Sequence, residues 1–318
     1  MSQRLVAPER LRYETAFSVG ICAADHARGI DELLHIIEHE SYPAGCLLSE
    51  IMIVASGLDQ ANFALVRASA SRYGNVILME EPIRRGKAEA INRMIDCFTG
   101  QFLILINSDA HPYPGAISEL LGVIISDDKI GLVSASPIIG DSKGVTAAVL
   151  KLMWEVHNEC LATLNEAEMN NHCCDELMVV RGVAIRKLPN DTVNDGAFLA
   201  GAAYQAGYAV EFSQEAKVRI DVPERINDLL TQRRRIVYGH LQILRSLGES
   251  PRTLESMLFN NPRLGLSILI QTLAKSPRLV LALPVAAVCE VGSGVLAAID
   301  GLAYGNKHVP WVRIGRKT

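Results

Sequence analysis

Between Phe17 and Gly140, short apolar runs alternate with stretches of helical periodicity, and this alternation restricts the chain more than any other feature. Phe17–Ala23, Glu50–Ala55, Val76–Met79, Phe102–Ile106 and Ile130–Ala135 read as strands. Ile30–Glu38, a segment from Asp59 to about Tyr73, Gly86–Phe98 and Pro114–Ser126 read as the helices between them. Leu33, Leu34 and Ile37 share one face of the first helix, Asp59 is placed to cap the second, and Pro114 stands near the start of the last. Strands that alternate with helices at this spacing imply an α/β fold, with a mostly parallel sheet covered on both faces. Such sheets take ligands beyond the carboxyl ends of their strands, here the loops after Ala23, Ala55, Met79 and Ile106.

Further along, Thr146–Met169 reads as a long helix, Leu177–Ile185 as a strand pair bent at Gly182, and Asp195–Ala206 as a short helix. Tyr208–Phe212 is strand-like and Pro223–Ser246 is a long basic helix. Leu279–Ala303 differs in kind: it is aliphatic or small apart from Pro284, Glu290 and Asp300, and long enough to span a bilayer. Two acids are costly in lipid, so a helix lying in the interface or against other helices accounts for them better than a lone span. A buried helix of a soluble protein satisfies the same composition. Leu264–Leu273 is a second apolar patch, and Lys307, Arg313, Arg316 and Lys317 flank Trp311 as a cytoplasmic membrane boundary favours. The expected division is an extension over 1–15, a catalytic domain over 16–248, membrane-associated helices over 249–306 and a basic tail over 307–318.

A formal net charge of -4 argues against a nucleic-acid binder working through a basic surface. The seven cysteines are odd in number and form no CxxC pair, which fits a reducing compartment better than a disulfide framework. The first fifteen residues hold no apolar signal-peptide core. Together these features place the catalytic part at the cytoplasmic face of the cell membrane.

Four stretches carry candidate chemistry. In QFLILINSDAHPYP a strand ends at Ile106 and presents Asn107, Ser108 and Asp109. A carboxylate there suits a hard divalent cation held partly by phosphates, and His111 can add a nitrogen ligand; the plainer roles are a turn residue and a loop histidine. In RRGKAEAIN, Lys87 and helix N-terminal amides make an anion site or a solvated basic turn. In VNDGAFLA, Asp195 is a helix cap or a general base. In QRRRI, three successive arginines cannot all face one way, so at least one turns toward the body and requires an anion or a carboxylate.

In this order and spacing, the segments from about Phe17 to Gly239 resemble the family 2 glycosyltransferases with the GT-A fold. GKAEAIN is similar to that family's GKAxALN helix, INSDAHPYP to its DxD turn, VNDGAFLA to its acidic base motif and QRRRI to its QxxRW motif. The apolar C-terminus makes the membrane-attached members look closest. Four positions depart from the pattern. Asn107 replaces the first acid of the turn, Asn194 the usual Glu, Ile236 the tryptophan, and Ala55 with Ser56 the paired acids after the second strand.

The resemblance implies inverting transfer of a sugar from a nucleoside diphosphate to a lipid-phosphate or glycan acceptor. A UDP-sugar is the favoured donor and a GDP-sugar the other candidate. It casts Asp195 as base, Asp109 and His111 as ligands to Mg²⁺ or Mn²⁺, and Arg234 or Arg235 as the partner of the leaving phosphate. Ala23, Asp25, Ser56, Lys87, Asn107, Ser108 and Gln232 fall to the donor site. A homo-oligomer is compatible with it. A catalytically weakened, nucleotide-sugar-binding partner subunit is the alternative. A nucleotidyltransferase would show a glycine-rich loop after the first strand, where CAADHARG has one glycine.

Overall fold

The structure is a computed structural model that describes residues 15–24, 29–140, 142–223, 225–303 and 308. Asp25, Lys307 and the tail around Trp311 lie outside the described residues. The elements in chain order are β1 (Thr15–Ala24), α1 (Ile30–His39), β2 (Cys46–Ser56), α2 (Gln60–Ala70), β3 (Val76–Glu81), α3 (Lys87–Cys97), β4 (Phe102–Asn107), β5 (His111–Pro112) and α4 (Ala116–Ser126). There follow β6 (Ile130–Ile139), α5 (Val145–Glu166), β7 (Leu177–Arg181), α6 (Asp195–Gln205), β8 (Ala209–Ile220), α7 (Ile226–Leu247), α8 (Leu254–Asn260), α9 (Pro262–Lys275) and α10 (Leu283–Ala303).

The strands form one sheet in the order β3-β2-β1-β4-β7-β6-β8-β5. β1, β2, β3 and β4 are mutually parallel where they pair. The apolar runs of β1, β2 and β4 are continuous because both faces are buried. Phe17, Val19, Ile21, Ile51, Ile53 and Ile104 pack against α1, α2 and α4, while Met52, Val54, Leu103 and Leu105 pack against α3 and α6. Asp59 caps α2 as expected, its side chain accepting from the Asn62 amide at 2.7 Å.

β7 is the departure that shapes the site. It runs antiparallel to both β4 and β6, with Leu177 opposite Ile106. Residues just before β7 therefore lie at the carboxyl end of β4. After Arg181 the chain turns through a short 3-10 helix, Gly182–Ala184, where the sequence pattern suggested a second strand.

The C-terminal helices complete a core rather than stand apart. Val149, Leu152 and Val156 of α5 and Leu229 of α7 cluster with Leu279, Ala282 and Ala286. Both acids of the apolar stretch face inward: Glu290 pairs with Arg233 at 2.7 Å, and Asp300, fully buried, takes both a donated Nε–H and a donated Nη2–H from Arg234. The opposite surface carries exposed Leu266, Ile270, Leu281, Val288, Val295 and Leu302. Among the described residues, Pro277–Leu302 is the one helical stretch long and apolar enough to cross a membrane. Pro284 falls in the first turn of α10, where its missing N–H breaks no helical bond.

Candidate active site

The carboxyl ends of β1, β2 and β4, the approach to β7, and α3, α6 and α7 border a cavity of about 660 Å³. Ala23, Ser56, Lys87, Asn107, Ser108, Asp109, Asp195, Gln232 and Arg235 all line it. Two expected residues do not. His111 sits in the two-residue strand β5, where its backbone pairs opposite Arg219 at the sheet edge, and it does not line the cavity. Arg234 is turned to the far side of α7 and held by Asp300. Successive helical residues are rotated by roughly 100°. Arg233 therefore reaches Glu290, Arg234 reaches Asp300 and Arg235 reaches the cavity.

Asp195 opens α6 yet does not cap it. The cap is Asn194, whose side chain accepts from the Ala197 amide at 3.2 Å. Asn194 thus leaves the Asp195 carboxylate free to meet Lys87, the first residue of α3, at 2.8 Å. Burial raises the Asp195 pKa above the usual carboxylate value against the opposing pull of Lys87, a direction that suits a base. Lys87 also reaches Asp175 at 3.4 Å. Burial works against its charge, but the two carboxylates hold its pKa above normal. Its ammonium is therefore paired with both acids at the cavity wall. Packing fixes this arrangement: a Cβ on Gly196 would lie 2.6 Å from Asp175 Cβ, and one on Gly239 of α7 would lie 2.6 Å from Asn194 Cβ.

Asp175 and Glu176 are the site residues that the sequence reading missed. Because β7 is antiparallel, they stand beside the turn after β4, and Asn107 Nδ2 donates to Glu176 Oε2 at 2.8 Å. The turn whose first acid has become Asn107 thus has a carboxylate brought against it from the neighbouring strand. Burial, reinforced by the charges of Asp175 and Asp109, pushes the Glu176 pKa up to about 8. An acid whose folded pKa exceeds its unfolded value near 4.3 destabilises the fold when ionised, so its stabilising share is lost as pH rises from about 4 to 8. Glu176→Gln removes that loss. In chelator-treated protein, the melting temperature of the variant relative to the parent should rise by several degrees between pH 5 and pH 9. A difference independent of pH would contradict the assignment.

Asp109, Asp175, Glu176 and Asp195 are four carboxylates lining a cavity in which Lys87, Arg84 and Arg235 are the nearby cations. Lys87 is absorbed by Asp195 and Asp175. Among the described residues, no three His, Cys, Asp or Glu converge as a ready-made metal cage. Asp109 and Glu176 instead fit a hard divalent ion bound through one or two carboxylates and completed by ligand oxygens. Arg235 and Arg84 are close enough that burial and the Arg84 charge lower the Arg235 pKa, with Asp195 and Asp175 opposing. Two adjacent guanidinium groups suit a phosphate. Ser56, at the end of β2 where the family pattern has paired acids, donates its hydroxyl to Glu81.

Residues 18–185 match the family described as Glycosyl transferase family 2, more than half of the 318 residues, and the chain belongs to that family. The fold is the GT-A type expected from the sequence, α/β with a mostly parallel sheet and an apolar C-terminal helix. Among solved structures, the chain is similar to the mannosyltransferase PcManGT from Pyrobaculum calidifontis in complex with GDP-Man and Mn²⁺. The two are 20% identical, over 91% of this chain and 87% of that one, with a TM-score of 0.63. It is also similar to glucosyl-3-phosphoglycerate synthase from Mycobacterium tuberculosis, in complex with Mn²⁺, UDP and phosphoglyceric acid. That match is 18% identical, over 77% and 82% of the chains, with a TM-score of 0.48. No curated protein sequence matches the chain.

Proposed function

We propose that the protein is an inverting glycosyltransferase that moves a sugar from a nucleoside diphosphate to an acceptor hydroxyl at a membrane surface. The observation that carries this reading is Asp195. It is a buried carboxylate relieved of capping by Asn194, oriented by Lys87, and set in one cavity with Asp109 and Arg235. Asp195 takes the acceptor proton as the acceptor oxygen bonds to the anomeric carbon, and the bond from that carbon to the diphosphate oxygen breaks. Arg235 and Arg84 bind the diphosphate and stabilise the charge it acquires. Asp109 and Glu176 would hold Mg²⁺ or Mn²⁺, which when bound supplies Lewis-acid neutralisation of that leaving group. Ala23, Ser56, Asn107, Ser108 and Gln232 border the space for the rest of the donor. A GDP-sugar stands beside a UDP-sugar as candidate, since the similar mannosyltransferase holds GDP-Man with Mn²⁺.

The exposed apolar face of α9 and α10 supports seating at a membrane, with Glu290 and Asp300 turned inward to Arg233 and Arg234. Truncation after Asn260 would strip the cover from α5 and α7 and leave Arg233 and Arg234 without these partners, so it is a poor test of seating.

Asp109→Asn tests the cation site. Calorimetry should show metal-dependent nucleoside-diphosphate binding weakened by at least tenfold, with the melting temperature nearly unchanged. Unchanged metal-dependent affinity would remove Asp109 from the site.

A further inference from the structure

The cavity does not end at Asp195. It continues between α5, α7, α8 and α10 into a further chamber. One wall is a row of rings in edge-to-face contact. Trp154 and His157 lie 5.1 Å apart, His157 and His172 5.4 Å, and His172 and His240 5.1 Å. Burial lowers the pKa of all three histidines, to about 4 for His157 and His240 and well below normal for His172, so the row is uncharged at neutral pH. Trp154 Nε1, His157 Nδ1, His172 Nδ1 and His240 Nε2 are buried without a hydrogen-bond partner in the protein. Leaving such groups unmatched forfeits the hydrogen bonds that water would have given them.

The charges in the chamber are already matched. Arg233 lies 2.7 Å from Glu290 and 3.7 Å from Glu255, and Arg252 lies 2.7 Å from Glu249. A phosphate entering here would meet three carboxylates and two arginines already paired with them. A hydroxyl both donates and accepts, so it can serve indole N–H and either tautomer of a neutral imidazole. Beyond the rings the walls turn apolar, with Leu258, Leu269, Leu283 and Val291 among them, and Val291 is also exposed on the outer surface of α10.

We propose that the chamber binds the acceptor, and that this acceptor is an uncharged, hydroxyl-bearing amphiphile rather than a lipid phosphate. The inference rests on the glycosyltransferase reading above. The head group lies against the rings with one hydroxyl toward Asp195, and the hydrocarbon lies among the apolar residues near α10. Transfer to that hydroxyl forms a new glycoside, releases the nucleoside diphosphate and leaves the acceptor proton on Asp195.

The test uses the full-length protein with Mn²⁺ and whichever of UDP-glucose or GDP-mannose it turns over. Dodecyl glucoside, dodecyl phosphate and free glucose are offered as acceptors. Dodecyl glucoside should exceed both of the others by at least tenfold in kcat/KM. His172→Phe, which keeps a ring but loses its nitrogens, should raise the KM for dodecyl glucoside by about tenfold while metal-dependent nucleotide binding is retained. A preference for dodecyl phosphate, or equal use of the two amphiphiles, would overturn the proposal. Donor hydrolysis by water with no transfer to any of the three would overturn it too, while leaving the donor reading intact. Absence of all donor binding and turnover would instead overturn the glycosyltransferase reading, and this proposal with it.

Discussion

Asp195→Asn should bind nucleoside diphosphate and metal within a few-fold of the parent and lose turnover by roughly 10²–10⁴-fold, the scale for removal of a general base. The substitution is nearly isosteric. It spares the start of α6, because the capping group is the neighbouring Asn194. Lys87 keeps a carboxylate partner in Asp175 at 3.4 Å, so the buried ammonium is not left unmatched. Rate and stability are therefore separable at this position. Single-turnover sugar transfer, read beside calorimetric affinity, measures both. Near-normal turnover would remove Asp195 from the role, and loss of nucleotide affinity equal to the loss of rate would make it a binding residue.

The second large effect is on stability. Arg234→Ala removes the two-pronged guanidinium from the fully buried Asp300 carboxylate, while His308 stays beside it at 2.7 Å. Breaking a buried pair from one side typically costs about 3–5 kcal/mol. For a chain of this size that corresponds to a fall in melting temperature on the order of 10 °C. Replacing both partners, as Arg234→Leu with Asp300→Leu, should recover most of the loss, because apolar residues of similar volume tolerate such a site. Arg235→Ala should do the reverse, weakening nucleotide binding with little change in melting temperature. If Arg234→Ala left stability intact and weakened nucleotide affinity, Arg234 would belong in the site after all.

The alternation of Phe17–Ile106 made the α/β layers legible because β1, β2 and β4 are buried on both faces and so have apolar runs without a polar face. Asn107, Asp109, Ser56 and Asp195 were legible as cavity residues because they end a strand, follow it in the turn or begin a helix at the carboxyl edge of the sheet. Asp175 and Glu176 were not. They precede their strand, and an acid before a strand reaches that edge only if the strand is reversed. Nothing in LMVVR reports its direction. The extension of β8 beyond Phe212 was hidden for another reason. From Glu215 onward the strand alternates exposed and buried residues, and its charged face reads as a loop. The arginine triplet showed that its members must diverge, but which of them face the cavity, here Arg233 and Arg235, depends on the rotation of α7 against α10. That rotation is set by Glu290 and Asp300, more than fifty residues away in sequence.

Whether this cavity breaks a sugar–diphosphate bond with the help of a divalent cation is tested most directly by release of nucleoside diphosphate from UDP-glucose and GDP-mannose by the purified full-length protein. Release from at least one of them is expected in Mn²⁺, with its loss in chelator, its return when Mn²⁺ is restored, and its absence in Asp195→Asn when the acceptor is present. Tight metal-dependent binding of either compound with no release under any of these conditions would contradict it, and would mark the chain as a nucleotide-sugar-binding subunit without transferase activity.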